Sequence, residues 1–342
     1  MATKNGQNLD YDAILVLSFG GPEAPEDVIP FLQNVTRGRN VPESRLREVA
    51  EHYEAFGGVS PINGQNRELI RNLSNELSRR GMELPVMFGN RNWHPYLKDT
   101  LATAVDLGYS RILVFVTSAF SSYSGCRQYL EDIEAAISSI DSASELLVDK
   151  IRPFYNSSGF IGATQDNLRN TLAKFRQTPR RDVQILFTAH SIPISMARNC
   201  KYEEQLRDAC SLVMDNFDDY PYELVFQSRS GPPEAPWLEP DICHFIEGTS
   251  RANIVACPIG FVSDHMEILF DLDLEAKTVC ERRGIKFARV AAVGTNPIFV
   301  AGVADLIEQR CGTMQEVLTL GDRGEWANNC NLECCLESNM EN

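Results

Sequence analysis

The strongest constraint on the fold is a regular alternation of short apolar runs with longer amphipathic segments. Between the runs, apolar residues recur at helical spacing, as they do over 67–80. Runs that are apolar on both faces are typical of parallel strands covered by helices on both sides. The sequence therefore predicts an α/β protein. Its strands are predicted at Ala13–Ser18, Leu84–Phe88, Arg111–Thr117, Leu146–Lys150, Val183–Phe187, Glu223–Gln227, Asn253–Cys257 and Lys286–Ala291.

The runs fall into two groups separated by the polar segment 156–181. This division predicts two similar halves with a cleft between them, and a length of 342 residues also fits two domains. The predicted domains are 10–175 and 176–311, followed by a polar tail with cysteines at 312–342. Ligands of open parallel sheets bind beyond the carboxyl ends of the strands. Functional residues are therefore expected directly after the apolar runs.

Charge and hydropathy exclude several functional classes. The chain has 47 acidic and 32 basic residues, a net charge of −15, so it offers no positive surface to nucleic acid or anionic lipid. No apolar run reaches the roughly 18 residues that a membrane span needs. A cytoplasmic protein without membrane insertion is expected. Neither of the nucleotide-binding motifs G-x-G-x-x-G and G-x-x-x-x-G-K-[ST] follows the first strand. Gly20 and Gly21 there form either a tight turn or a place where a ligand can approach the backbone closely.

A histidine and three carboxylates follow strands of the second half. The near-neutral pKa of His190 suits proton transfer or metal binding, although a lone histidine is more often structural. Glu267, Asp271 and Glu275 recur at every fourth position, which places them on one face of a helix. This stripe is either a solvated acidic surface or a path for cations or protons. Its position at the end of a strand favours the path.

Several longer motifs resemble the ferrochelatase family over roughly residues 12 to 310, and finer features resemble the coproporphyrin ferrochelatases of actinobacteria. The resemblance implies two Rossmann-like, chelatase-like domains flanking an active-site cleft. It also implies a monomeric lyase that inserts Fe²⁺ into a porphyrin in heme b biosynthesis, with a transient contact to the next enzyme of that pathway. The motifs are AHSIP, PIGFVSDHMEILFDLD, FGGVSPIN, NVTRGR, FGNRNW and PWLEPDI.

The resemblance implies how the iron is handled. His190 matches the histidine that binds iron, Glu267 matches an acidic residue across the macrocycle from it, and Asp271 continues the acidic column. Phe19 stands where some members have an iron-ligating tyrosine, and Asn92 where some have a histidine. Iron selection is therefore expected to rest mainly on His190 and Glu267.

Further residues match positions that hold the porphyrin or the catalytic segment. Asp264 and His265 match a pair that positions the segment with Glu267. The residues that match propionate contacts or the cleft wall are Tyr53, Ser60, Tyr129 and Trp237.

The cysteines carry a separate prediction. A long chain without a secretory signal is not expected to use ten cysteines as a disulfide framework. The resemblance implies a [2Fe–2S] cluster held by one internal cysteine and three in the tail, namely Cys126, Cys330, Cys334 and Cys335, with Cys311 as a substitute. The alternative is three exposed thiols on a frayed terminus. Iron insertion transfers no electrons, so a structural or sensing role is expected for a cluster.

The substrate is expected to be coproporphyrin III rather than protoporphyrin IX. Family members that work at the membrane have a hydrophobic lip after the first strand, whereas here that segment carries Arg37, Arg39, Arg45, Arg47 and His52. These groups suit a substrate with four carboxylates, or they form the polar face of a surface helix. A protoporphyrin IX ferrochelatase, a cobalt or nickel chelatase and a non-enzymatic heme or iron carrier remain alternatives.

Overall fold

The computed structural model describes residues 10–38, 41–141, 143, 145–231, 235–328, 330 and 333–337. Arg39 and part of the tail lie outside the described residues. Each of the eight predicted runs forms a strand, with its ends shifted by a few residues at most. The strands are β1 (Ala13–Ser18), β2 (Val86–Asn90), β3 (Arg111–Val116), β4 (Leu147–Lys150), β5 (Val183–His190), β6 (Tyr222–Gln227), β7 (Asn253–Cys257) and β8 (Lys286–Arg289).

The strands form two parallel sheets with the same order of strands. The first sheet is β2-β1-β3-β4 and the second is β6-β5-β7-β8. In each sheet the second strand along the chain pairs with one side of the first strand, and the third and fourth strands lie on the other side. This is the topological switch point at which open α/β sheets bind ligands. His190 is the last residue of β5, the switch strand of the second sheet.

Helices cover both sheets, and their ends follow from local sequence. Asn296 accepts a hydrogen bond from the backbone of Ile298, Pro297 begins the last helix, and Gly312 ends it with a φ of 82°. The helices are α1 (Val28–Val35), α2 (Glu43–Glu54), α3 (Ile62–Arg79), α4 (Leu97–Asp106), α5 (Gln128–Ser138), α6 (Ser158–Leu172), α7 (Ile194–Arg198), α8 (Tyr202–Met214), α9 (Ile242–Gly248), α10 (Met266–Ile268), α11 (Lys277–Arg282) and α12 (Pro297–Cys311). Two π-helical segments lie at Tyr123–Arg127 and Leu269–Ala276.

One continuous hydrophobic core joins the two halves. It includes residues of β1 and β3 from the first sheet and of β5 and β7 from the second. The last helix, α12, belongs to the second half by sequence but packs against α3 and α6 of the first. Gly302 on α12 touches Gly159 on α6 so closely that a Cβ at Gly302 would lie 2.6 Å from the Gly159 Cα. The two sheets are thereby held in a fixed arrangement on either side of the cleft.

The tail after α12 docks on the first half. Backbone hydrogen bonds join Ser158 to Leu318 at 2.9 Å and Leu320 to Asn156 at 2.9 Å. The side chain of Asn156 also donates to the carbonyl of Gly324 at 2.8 Å. A segment too polar to form its own core is thus fixed by the body of the protein. Within the described ranges, none of the helices is both long enough and apolar enough to span a membrane.

Candidate active site

His190 is oriented by backbone groups at the end of β5. Its Nδ1 contacts the carbonyl oxygen of Ser191. Because a carbonyl can only accept, Nδ1 carries a hydrogen and Nε2 is left to face the cleft. The hydroxyl of Tyr202 donates to the carbonyl of His190 at 3.1 Å and holds the end of the strand. The imidazole is therefore fixed in one orientation, with a side chain 31% exposed.

Glu267 reaches the same place from a loop and helix beyond β7. This loop passes close over β5 at Gly260, where a Cβ would lie 2.6 Å from that of Ala189. The backbone of Asp264 donates to Gln65 Oε1 at 2.9 Å, and Arg289 donates to Asp264 Oδ1 at 2.8 Å. Since Gln65 lies on α3, the loop with Glu267 is tied to both halves. Helix α10 begins directly after His265, the residue at its N-cap.

The catalytic pair corrects one prediction. His190 Nε2 and Glu267 Oε1 are 3.7 Å apart. A macrocycle between them would need van der Waals contact on both faces, and therefore a separation of roughly 7 Å. Glu267 thus does not lie across the macrocycle from His190, because both side chains belong to one wall of the cleft.

The two groups shift each other's protonation. Desolvation lowers the pKa of His190, but the negative charge of Glu267 and the Ser191 carbonyl raise it more, so that the net shift is upward. Desolvation raises the pKa of Glu267, but His190 and His265 lower it by more, so that the net pKa is about 2. Glu267 is therefore ionised, and its charge favours the protonated form of His190. Desolvation lowers the pKa of His265, whose Nδ1 lies 3.9 Å from Glu267 Oε2.

Asp271 behaves differently from its neighbour in the acidic column. Burial, Glu267 and Glu275 raise its pKa to about 7, against a lowering by the hydroxyl of Ser228. Both Ser228 and Gln227 donate to Asp271 Oδ2, the amide at 3.2 Å. Ser228 adopts a φ of 61° at this contact, a left-handed conformation that is uncommon for serine. Asp271 can therefore exchange a proton near neutral pH, while Glu267 stays ionised.

The column lies on a π-helical segment that the sequence pattern did not predict. Leu269–Ala276 carries Asp271 and Glu275, and single π turns within helices are frequent at functional sites. Desolvation and the nearby Asp241 raise the pKa of Glu275, which is exposed. The predicted path for cations or protons is thus a row of carboxylates that runs from the exposed Glu275 to the catalytic pair.

The facing wall is aromatic and comes from the first half. Phe19, which directly follows β1, is 37% exposed. Phe19, Tyr53 and Trp93 each meet the buried Phe31 edge-on, with ring centroids 6.0 to 6.3 Å apart. Burial and the charge of Glu267 raise the pKa of Tyr53, so its hydroxyl stays neutral. The predicted residue Tyr53 therefore lies near the catalytic pair.

A second contact across the cleft was missed at the level of sequence. The ring of His52 on α2 stacks on that of Phe270 in the π segment, with centroids 3.7 Å apart and planes 9° apart. His52 precedes Tyr53, and Phe270 precedes Asp271, so the stack joins the two walls beside the site. Nothing in the spacing of either segment indicated that these two rings meet.

The other predicted substrate residues differ in position. Ser60 is buried, and its backbone donates to the carbonyl of Pro22 at 2.9 Å in the turn after β1. The backbone of Trp237 bridges to that of Pro193, three residues beyond His190, and its indole packs against Gly231. Tyr129 is only 4% exposed and belongs to the core of the first half, under the guanidinium of Arg91 at 4.6 Å. The structure therefore does not present Tyr129 to a substrate.

The four cysteines predicted to bind a cluster come together. Cys126 and Cys330 share a hydrogen bond, which raises the pKa of Cys126 and lowers that of Cys330. Cys330 also shares a hydrogen bond with Cys334, and the Cys334 and Cys335 sulfurs are 3.5 Å apart. Across the described part of the chain, however, no group of three or more His, Cys, Asp or Glu side chains is arranged to hold a metal ion.

The extra thiol beside this group is Cys200 rather than Cys311. Cys335 interacts electrostatically with Cys200, and burial together with Cys334 raises the pKa of Cys200. Burial raises the pKa of Cys311 to about 11, and the charged groups that act on it are Arg310, Glu308 and Asp10. A substitute ligand at this group would therefore come from Cys200.

Comparisons with known proteins agree with this architecture. The family model for ferrochelatase matches residues 11–311. The chain is 51% identical over 330 residues to a ferrochelatase of Rhodopirellula baltica, covering 95% of this chain and 93% of that protein. It is 46% identical to a coproporphyrin III ferrochelatase of Streptomyces coelicolor, with the same coverage of both chains.

A solved structure supports the fold. The sirohydrochlorin chelatase of Bacillus subtilis, determined with cobalt, superimposes with a TM-score of 0.52 at 10% identity and covers 89% of this chain and 96% of that one. The likeness concerns the architecture of two parallel sheets alone. Together with the family match over both halves and the histidine–carboxylate pair at the cleft, it leads to one assignment. The chain belongs to the ferrochelatase family, the lyases that insert ferrous iron into porphyrins.

Proposed function

We propose that this protein inserts Fe²⁺ into coproporphyrin III and releases coproheme and two protons. The observation that carries this proposal is the His190–Glu267 pair at 3.7 Å, at the carboxyl end of a switch strand and opposite an aromatic wall. The choice of porphyrin is supported by the name of the Streptomyces coelicolor relative.

The pair gives a route for exchanging a metal ion for protons. Before iron arrives, Glu267 raises the pKa of His190 and so favours a proton on its imidazole. When Fe²⁺ arrives as substrate at Glu267, its positive charge cancels that of the carboxylate, and the pKa of His190 falls. Nε2 then loses its proton and becomes able to accept one from a pyrrole nitrogen.

The released protons need a path to water. Asp271, with a pKa of about 7, can accept a proton and lose it again at neutral pH. Glu275 lies one step further along the π segment and is exposed. We therefore assign to Asp271 the role of a relay between the catalytic wall and solvent. Iron entering along the same row would meet carboxylate oxygens, the ligands that hard cations prefer.

The porphyrin would lie between the catalytic wall and the aromatic wall. A planar macrocycle holds the lone pairs of its nitrogens within the ring plane, so a bent ring is closer to the transition state of metal insertion. A rigid cleft can use contacts with the ring periphery to favour that bent form. Phe19 and Trp237 offer flat apolar surfaces for this purpose, and Tyr53 offers a neutral hydroxyl close to Glu267.

The basic segment gives less support for four carboxylates than its composition suggests. Arg45 pairs with Glu48 at 2.7 Å, and Arg47 pairs with Glu43 at 2.8 Å, all of them exposed on α2. These pairs are what the surface-helix alternative predicts. Protoporphyrin IX is therefore the second candidate, and the Rhodopirellula baltica relative is named a ferrochelatase without a stated porphyrin.

One assay separates the candidates. The protein is mixed anaerobically with Fe²⁺ and either porphyrin, and the Soret and visible bands are followed under multiple-turnover conditions. We expect a higher kcat/KM with coproporphyrin III. An equal or higher value with protoporphyrin IX would reject the substrate. Stoichiometric binding of heme without turnover on either porphyrin would instead indicate a carrier.

We also propose that Cys126, Cys330, Cys334 and Cys335 hold a [2Fe–2S] cluster. Four thiols are the usual ligands of such a cluster, and these four are linked in pairs by hydrogen bonds or close sulfur contacts. The ammonium of Lys150 lies near Cys126 and Cys330 and favours their thiolates. A bound cluster would cross-link the tail to the body of the protein.

The family resemblance and the net charge of −15 further support a cytoplasmic monomer.

A further inference from the structure

A cavity of about 190 Å³ lies where the docked tail crosses the end of β4 and α12. Its lining includes Arg152 from the segment after β4, Gln309 and Arg310 from α12, and Glu325 from the tail. β4 is an edge strand of the first sheet, whereas the catalytic pair lies at the second. None of the lining residues belongs to the active site described above.

Arg152 is a buried cation with only distant partners. Its side chain is 3% exposed. The nearest acceptors are Gln309 Oε1 at 3.3 Å, the Pro153 carbonyl at 3.5 Å and Glu325 Oε2 at 3.5 Å. Charge-assisted hydrogen bonds of a guanidinium normally measure about 2.7 to 2.9 Å. Burial accordingly lowers the pKa of Arg152. The five N–H groups of this side chain are poorly satisfied.

Arg310 brings a second cation whose charge is incompletely balanced. Its Nη2 donates to Asp149 Oδ1 at 2.9 Å, while Arg111 donates to Oδ2 of the same carboxylate at 2.7 Å. One carboxylate thus serves two guanidinium groups. Among the residues that the structure describes, the buried Nε of Arg310 has no partner. Among the residues described, Glu325 is the carboxylate that acts on Arg152, so Arg111, Arg152 and Arg310 share two carboxylates and exceed them by one positive charge.

We propose that this cavity binds a small oxyanion with two or more negative charges, between Arg152 and Arg310. Guanidinium groups bind phosphate and carboxylate through parallel hydrogen bonds, and Arg152 and Arg310 both line the cavity. The volume is large enough for inorganic phosphate or a small tricarboxylate and too small for a porphyrin. An excess of positive charge at this point is notable in a chain whose net charge is −15.

Glu325 acts as the internal competitor of this anion. Its carboxylate is 49% exposed and lies 3.5 Å from Arg152, a loose ion pair that a multiply charged ligand can displace. The same residue lies next to Gly324, whose carbonyl anchors the tail to Asn156. An anion beneath this segment would bind the two arginines of the body and cover the surface on which the tail rests. Anion binding is therefore coupled to docking of the tail that carries Cys330.

The test is calorimetric titration of phosphate, and separately of citrate, into the full chain at constant ionic strength maintained with sodium chloride. We expect saturable binding of one anion per chain. Arg152→Met and Arg310→Met should each weaken it at least about tenfold, the loss of one charge-assisted hydrogen bond. Glu325→Gln should strengthen it. Arg176→Met, at an exposed arginine outside the lining, is the matched control and should leave affinity unchanged.

The two anions distinguish the size of the ligand, and a second measurement reports on the tail. Because the anion displaces Glu325 and covers the surface on which the tail rests, phosphate or citrate should accelerate tryptic cleavage after Arg323 in the wild-type chain but not in Arg310→Met. If Arg152→Met does not fold, Arg310→Met and Glu325→Gln still decide the outcome. The absence of saturable binding by either anion, or equal affinity in all variants, would overturn the proposal.

Discussion

Replacing Glu267 with glutamine tests the electrostatic coupling on which the mechanism depends. The substitution keeps the size of the side chain and removes a negative charge 3.7 Å from His190 Nε2. Two unit charges about 4 Å apart interact by about 1 kcal/mol in water and about 4 kcal/mol at the effective dielectric of a protein surface. Glu267 is 49% exposed, which places the value near the lower limit. At 1.36 kcal/mol for each pKa unit, the lower limit corresponds to a fall of about 0.7 unit in the pKa of His190.

The pKa of His190 can be measured directly. The chain has five histidines, so NMR titration of histidine-labelled protein gives few signals, and the spectrum of His190→Ala identifies the one that matters. In wild type the signal should titrate above the usual pH for histidine, and in Glu267→Gln about 0.7 unit lower than in wild type. Glu247→Gln is the matched control, because Glu247 is exposed and pairs with Arg282, so the pKa of His190 should stay unchanged. A His190 pKa within about 0.3 units of wild type in Glu267→Gln would refute the coupling.

Four further outcomes follow from the same geometry. His190→Ala should lower the rate of iron insertion by about 10²- to 10⁴-fold while porphyrin still binds, and stopped-flow assays that retain more than a tenth of the rate would exclude this role. Asp271→Asn should lower kcat less than Glu267→Gln and flatten its pH dependence near 7, because a group with a pKa of about 7 is removed; an unchanged pH–rate profile would contradict the relay. Cys126→Ser should abolish the visible absorption and the acid-labile sulfide of anaerobically purified protein, whereas Cys311→Ser should keep both, and colourless wild-type protein would exclude the cluster. Gly260→Ala should destabilise the fold by about 1 to 3 kcal/mol in urea unfolding, as overpacking does, since its Cβ would approach β5 to 2.6 Å.

Most of the fold was predictable because it depends on local patterns. Every predicted strand is present, since runs such as Ala13–Ser18 are apolar on both faces and can be satisfied only between layers of helices. The position of His190 was also predictable, because the end of β5 is where a parallel sheet presents side chains to a cleft. One prediction failed for a local reason: the α-helix expected after His265 continues as a π-helix over Leu269–Ala276. Its acidic spacing of four residues fits an α-helix and a π-helix nearly equally well.

Relations between distant segments could not be predicted in the same way. Spacing placed Glu267 near the cleft, but only the packing of its loop on β5 and against Gln65 shows that it shares a wall with His190. Tyr129 matched a family position, yet the residue is buried in the core of the first half because α5 turns that face inward. The His52–Phe270 stack depends on two elements from different halves. Such contacts follow from tertiary packing, which no periodicity of one segment encodes.

The repeated sheet order suits the proposed reaction, in which a macrocycle is bound and its two protons are exchanged for an iron ion. Both sheets present a switch strand to the cleft, but the two strands end in different chemistry. β1 ends before Phe19, which packs with Phe31 in an aromatic wall, and β5 ends in His190 with Glu267 beside it. An apolar wall can pack against one face of a planar ring while the charged groups act on the other face. With His190 and Glu267 on one wall, the proposed mechanism has iron arrive and protons depart on the same face. In that mechanism each positive charge that enters would weaken the hold of Glu267 on the proton of His190, and metal arrival and proton release would be coupled by charge.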